Sequence, residues 1–290
     1  MGQYSIKEIE SISGVKAHTL RIWEQRYDFL KPKRTDTNIR YYTDEQMRLL
    51  LNIGTLNRHG MKISKIAELE RGELSKHVLD IYQSTQQPDD MMDALVHAMI
   101  DFDEARVEHT LYLAINKLGF EKAFVQLVFP FMVRTGVLWA TGAINVAQEH
   151  FVTNLLRRKI VVAIDSLHPA ENKKAKKFVL FLPEGEVHDL LLLFTEYILR
   201  SQGHLVYYLG AAMPVSDLRV IIRTRKPDFL VTFLTLPLAE PLADYARQVL
   251  KDAGDLKFVI GGSIVEEHKG PLPSNCVRVH SAADLAAVIA

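Results

Sequence analysis

Three groups of residues in this chain have types and spacings that could do chemistry. Glu186-Val187-His188 follows a short apolar run. A neutral imidazole is a good donor to a transition metal, and a carboxylate beside it fixes which ring nitrogen carries the proton. Nine residues separate Trp139 from a second acid and histidine, Glu149-His150. Between positions 16 and 40, seven bases (Lys16, Arg21, Arg26, Lys31, Lys33, Arg34, Arg40) stand against three acids (Glu24, Asp28, Asp36), a local excess of four that suits a polyanion. Each group also has a plain structural reading. A histidine at a strand end is commonly a satisfied loop residue, a tryptophan on a helix commonly packs a core, and basic residues commonly face solvent.

The elements that must position these groups follow from apolar periodicity. Ser5-Ile6-Lys7-Glu8 is a capping box, with Ile6, Ile9 and Ile12 as the apolar stripe behind it. Gly14 makes a turn, and a second helix from about Lys16 to Arg26 sets Leu20 and Trp23 on one face and Lys16, His18, Thr19 and Arg21 on the other. Two short helices joined this way form a helix-turn-helix, whose second helix enters the major groove. From 73 to 170 apolar residues recur at helical spacing, with breaks near Gln87-Pro88 and Lys117-Leu118-Gly119, which predicts a bundle of four or five helices. The lysine-rich stretch Asn172 to Lys177 reads as a solvated linker.

Beyond it, short β-branched and aromatic runs (Phe178 to Leu182, Leu205 to Leu209, Phe229 to Thr235, Phe258 to Ile260, Val277 to Val279) alternate with helical patterns near 187–202, 214–225 and 239–253, and from 282. Strands alternating with helices imply parallel pairing in a doubly wound, flavodoxin-like sheet of five strands, with ligands at the carboxyl ends of the strands. The expected architecture is thus multidomain α and α/β: a helix-turn-helix unit (1–72), a helical bundle (73–170) and the sheet domain (176–290).

Composition narrows the class. Acids and bases balance at 35 each, so a nucleic-acid surface here has to be local. The one cysteine, Cys276, excludes an intrachain disulfide and a cysteine-rich zinc site, which suits a reducing compartment. No signal-like start precedes the first helix, and the longest apolar run, Leu190 to Phe194, is too short to span a bilayer. A cytoplasmic protein with no membrane partner is expected.

The order Leu20-Arg21-Ile22-Trp23-Glu24-Gln25-Arg26-Tyr27, then Pro32 and Arg34, then Ile39-Arg40-Tyr41-Tyr42-Thr43 closely resembles the MerR family of transcription regulators over about the first 72 residues. The resemblance makes 1–72 a winged helix and implies that the second helix reads bases while the wing grips phosphate. It assigns Lys16, His18, Thr19, Arg21, Arg34, Arg40 and Tyr41 to the DNA face. Trp23 and Tyr42 are as readily core as contact. The family binds near-palindromic double-stranded operators as dimers, with half-sites about 34–36 Å apart or a multiple of that, so a homo-oligomer, dimer or tetramer, follows. No long dimerising helix is evident, since Gly72 and Pro88 interrupt its place.

The bundle followed by the sheet, with Glu186 and His188 in its first loop, is similar to the cobalamin-binding pair of domains in methionine synthase and in the light-sensing MerR repressors of the CarH and LitR type. The resemblance implies His188 as the lower cobalt ligand and Glu186 as its carboxylate partner. It sets Trp139, Glu149 and His150 above the corrin, with His150 as upper ligand once the native one is lost. It also implies Thr232 or Thr235 as the small polar residue at the third strand, and Gly261-Gly262 as a close backbone approach. Adenosylcobalamin and light are the implied signals for a repressor. Leu191, where that motif has glycine, departs from it and leaves an alternative: a degenerate site controlled by a protein partner or another ligand. A corrinoid enzyme would need substrate-activating domains, and no residues remain for them; no catalytic role is expected.

Overall fold

The computed structural model describes residues 3–27, 29–35, 38–84, 88–140, 144–168, 173–251, 253–280 and 284. The chain forms two compact units, 1–155 and 156–290.

In the first unit α1 (Ile6–Ser13) starts at the capping box: Ser5 Oγ accepts from the Glu8 amide at 3.3 Å, and Glu8 accepts from the Ser5 amide. Gly14, at φ +71°, takes the left-handed conformation that ends the helix and turns the chain into α2 (Ala17–Arg26), whose buried side chains are Leu20 and Trp23. Strands β1 (Gln3–Tyr4), β2 (Lys33–Arg34) and β3 (Arg40–Thr43) make a small antiparallel sheet in the order β1-β3-β2, the wing. A second capping box, Thr43 with Gln46, starts α3 (Asp44–Arg58). Two shorter helices follow, α4 (Ile63–Ile66) and α5 (Arg71–Ser84). Gly72 lies in the first turn of α5 with open space around it, and so does not interrupt the helix.

The bundle comprises α6 (Pro88–Asp101), α7 (Glu104–Leu118), α8 (Phe120–Ala123), a π-helical turn (Phe124–Val128), α9 (Phe129–Ala140) and α10 (Val146–Asp165). Pro88 opens α6, the helical position where a missing N–H costs least. The π turn closes with the Phe129 amide donating to Phe124 O, one residue before Pro130, which has no amide to continue a regular ladder. Leu95, Val96, Leu111, Phe124, Phe131, Leu138 and Leu156 are among its buried side chains.

In the second unit the strands are β4 (Lys177–Pro183), β5 (Leu205–Met213), β6 (Phe229–Phe233), β7 (Lys257–Gly261) and β8 (Cys276–Val279). They pair in parallel in the order β5-β4-β6-β7-β8. Helices α11 (Leu190–Ser201), α12 (Val215–Arg225), α13 (Leu242–Val249) and α14 (Ser263–Glu267) make the crossovers. One sheet face buries Val179, Phe181, Leu230 and Phe258 under α12 and α13; the other buries Phe178, Leu180, Val231 and Val259 under α11. Neighbours on the two sides of β4 lead away in opposite directions, so the crevice at the carboxyl ends of β4 and β6 is the switch point where such sheets bind ligands.

Several boundaries differ from those read in the sequence. Lys177 opens β4 and donates its amide to Asp228, and Lys176 lies 5.5 Å over the Phe229 ring, so the lysine stretch ends inside the fold. The helix placed at 187–202 begins at Leu190, because the amides before it turn toward Glu186. The third strand stops at Phe233 rather than Thr235, and the pattern at 239–253 is helical only from Leu242 to Val249. The helix expected from 282 falls almost wholly outside the described residues. Among the described residues no helix is long and apolar enough to cross a membrane.

Candidate functional site

The surface of α2 and the wing carries the basic cluster. Lys16, His18 and Arg21 are exposed and Thr19 half-buried, all on α2 or its first turn. Glu10 of α1 reaches across the turn: its carboxylate accepts from the Ala17 amide at 3.1 Å and from Lys16 Nζ at 3.0 Å, which lowers its pKa. Arg34 and Arg40 are directly opposed on β2 and β3. Like charges facing across a ladder repel, and the protein tethers them separately, Arg34 to Asn38 at 2.8 Å and Arg40 to Glu24 at 3.6 Å. An anion lying between them would relieve the repulsion. Tyr41 is half-buried beside them. Tyr42 is fully buried and donates to Glu24, and Trp23 is buried too, so both belong to the core. Ile22 and Ile39 stand exposed among these bases, an apolar feature of the surface that the sequence reading passed over.

At the switch point of the sheet, Glu186 is 2% exposed and saturated with donors. Its carboxylate accepts from the amides of Val187, His188, Thr235 and Leu236 and from the Thr235 hydroxyl, at 2.6–3.0 Å. Burial by itself would raise its pKa; the amides and the His188 ring outweigh burial and hold it at about 2. His188 Nδ1 lies 2.6 Å from Glu186 Oε1 and 2.8 Å from Thr235 Oγ1. Beside an ionised acceptor Nδ1 carries the proton, which leaves Nε2 with its lone pair on a half-exposed ring. Next along, Asp189 pairs with Arg157 and accepts from Tyr208 Oη at 3.3 Å; burial pushes that phenol up to about 12.

In the first unit, Trp139 is the last residue but one of α9 and 54% exposed, so it is not a core residue. The Ile144 amide donates to Leu138 O at 3.3 Å, which keeps the end of α9 beside the start of α10. There Asn145 and Gln148 cap each other at 3.0 Å, and Gln148 Nε2 donates to Ile100 O. Glu149 and His150 sit in that first turn, 3.4 Å apart, with Thr153 donating to Glu149.

Residues 4–73 match the model of the MerR HTH family regulatory proteins, and residues 91–163 match that of the B12 binding domain. The chain thus carries a MerR-type helix-turn-helix domain followed by a B12-binding domain. It is 28% identical to the HTH-type transcriptional repressor CarH of Myxococcus xanthus over 95% of this chain and 94% of that protein. To CarA of the same organism it is 25% identical, over 91% and 88%. The monomethylamine corrinoid protein of Methanosarcina barkeri shares its fold with 70% of this chain and 98% of its own, at a TM-score of 0.55 and 16% identity.

Within this regulator the two candidate threonines part company. Thr235 joins the Glu186 and His188 network, whereas Thr232 is fully buried in β6 with no partner for its Oγ1 among the described residues. Gly261 and Gly262 have a reason of their own. A Cβ on Gly262 would stand 2.4 Å from Leu234 O and one on Gly261 2.9 Å from Val279 O, and Gly262 holds φ +98°. The close approach they permit within the structure is to the protein's own backbone, a structural reason for glycine that stands beside the ligand approach the resemblance implies. Leu191 is half-buried in the first turn of α11 and packs on the core beneath it.

Proposed function

We propose that this regulator is a cytoplasmic repressor that binds a near-palindromic DNA operator as a homo-oligomer and is controlled by cobalamin, adenosylcobalamin being the form it senses. Lys16, His18, Thr19, Arg21, Arg34, Arg40 and Tyr41 are the proposed DNA contacts, with the opposed Arg34 and Arg40 straddling a phosphate. The proposed modules are 1–72, 73–170 and 176–290. No catalytic role is proposed.

One observation carries the cofactor reading: Glu186 holds His188 by Nδ1, so that Nε2 is the ring nitrogen left for a metal at the switch point of the sheet. The unpartnered Thr232 hydroxyl also fits a bound group, since an orphaned buried hydroxyl costs about 1–3 kcal/mol unless something bonds to it. Bound adenosylcobalamin supplies a cobalt–carbon bond that light cleaves, which is how light would enter the response. His188 is the residue that would hold the cobalt, through Nε2. Trp139, Glu149 and His150 are proposed as further cofactor-binding residues, contributed by the bundle.

Equilibrium dialysis of the full chain against adenosylcobalamin in the dark tests this. The wild type is expected to retain the corrinoid with an absorption spectrum of a histidine-ligated cobalt. His188→Ala should weaken retention at least tenfold and shift the spectrum. Retention that His188→Ala leaves unchanged removes the ligand assignment, and no retention by the wild type removes the cofactor, leaving Leu191 as the sign of a site given over to another ligand or a protein partner.

A further inference from the structure

The winged helix and the bundle meet in the first unit through α3 and α6, and their facing charges are sorted by sign. From α3 and its cap come Arg48, Arg58 and His59. From α6 come Asp101, Asp93 and Asp90. Arg48 Nε lies 3.0 Å from Asp101, and His59 Nε2 2.8 Å from Asp90. Asp93 is different, because its two oxygens serve two masters. Oδ2 pairs with Arg58 of the winged helix, and Oδ1 lies 3.1 Å from Nη1 of Arg134 on α9. The carboxylate is nearly buried, and the ring of His97, one turn along the same face of α6, is kept neutral beneath the cluster: burial, then Arg106, Arg58 and Arg134, lower its pKa to about 3.

The far side of Arg58 ends on the helix-turn-helix itself. Its Nη1 donates to Ser13 O at 3.1 Å, at the last residue of α1, and its Nη2 to Thr55 Oγ1 at 3.3 Å. Gly54 is what lets that turn come so close: a Cβ there would be 3.1 Å from Ser13 O. Asp93 is thus one ion pair and one hydrogen bond from the turn that aims α2. On the other side it is one ion pair from α9, the helix that carries Trp139 near its end.

We propose that Asp93 is the positioning residue that couples the bundle to the DNA-reading helices: through it a shift of α9 is passed to Arg58 and so to the turn between α1 and α2. This rests on the reading of Trp139 and α9 as part of the corrinoid site, and it names how that site would be read out. A bridging carboxylate suits this end, since a shift of one arginine moves the nearly buried acid and so the oxygen it offers the other.

Hydrogen exchange on the full chain, followed at residues 6–26 and along α9, tests the link first without any corrinoid. Arg134→Gln is expected to raise exchange at residues 6–13 at least threefold, and the same substitution made on an Asp93→Asn background should add less than a further third. Additive effects would mean that α9 acts on α1 through their direct packing, and would overturn the role of Asp93. Asp101→Asn, which breaks only the Arg48 pair, should loosen α3 and leave α9 as it was. The second arm adds adenosylcobalamin. Asp93→Asn should retain it within twofold of wild type yet lose the change in exchange at residues 6–26 that wild type shows. Transmission that survives in Asp93→Asn overturns the proposal. If wild type retains no corrinoid, it is the cofactor reading that falls, and the first arm still decides for or against Asp93.

Discussion

The two acid–histidine pairs of this chain are made of the same side chains and are built quite differently. Glu186 is buried, accepts from four amides and a hydroxyl, and holds His188 by Nδ1, so Nε2 faces outward. Glu149 is a quarter exposed and accepts from Thr153; its histidine is two-thirds exposed and turns Nε2 toward the acid at 3.4 Å. The first arrangement holds the lone pair ready in advance. The second leaves the ring able to swing, since a solvated pair at that distance is held by little. A carboxylate organises an imidazole only when the backbone has first organised the carboxylate, and the loops after β4 and β6 do that where the first turn of α10 does not.

Three measurements sharpen or break this contrast. The largest effect is expected from Glu186→Ala, which strands four amides in a buried place and should destabilise the sheet unit by about 3 kcal/mol in denaturant unfolding; a loss under 1 kcal/mol would mean that the amides find water and the network is not organising the loop. Acid is the second. Because the folded-state pKa of Glu186 is depressed, its contribution is complete above its ordinary value of 4.5 and is lost as pH falls from there toward about 2. The stability of wild type should therefore fall through that window, and Glu186→Gln should flatten the slope. An equal slope in both proteins would assign the acid sensitivity elsewhere. Smallest is Glu149→Gln, expected to change stability by less than about 0.5 kcal/mol; a cost near that of Glu186→Ala would erase the distinction between the pairs.

Much of this was legible in the residues because it is local. Ser5 with Glu8 marks the start of α1, Gly14 its end, and alternating strands and helices after 176 give the parallel sheet and its switch point. The acid two residues before His188 could be read as its partner, since one short loop carries both. What escaped was set at long range. Thr235 reaches Glu186 across 49 residues because β6 ends two residues earlier than its composition suggests, and nothing near Thr235 signals this. Glycine looks the same in sequence whether the backbone must meet a ligand or its own neighbour, and the need of Gly262 to clear Leu234 O shows only in the fold. The sorted charges of α3 and α6 are ordinary surface residues in sequence, and they become a contact only once the two helices are packed.

The π turn at Phe124–Val128 gives the bundle an adjustable phase. A turn of this kind holds one residue more than an α-helical turn, and each residue advances a helix by about 100°. Everything on α9 therefore points about a quarter-turn away from where an unbroken helix would send it, Arg134 and Trp139 together. Descent from a relative with a regular helix would need a single inserted codon, and its loss would swing Arg134 off Asp93 and turn Trp139 with it, without altering either one.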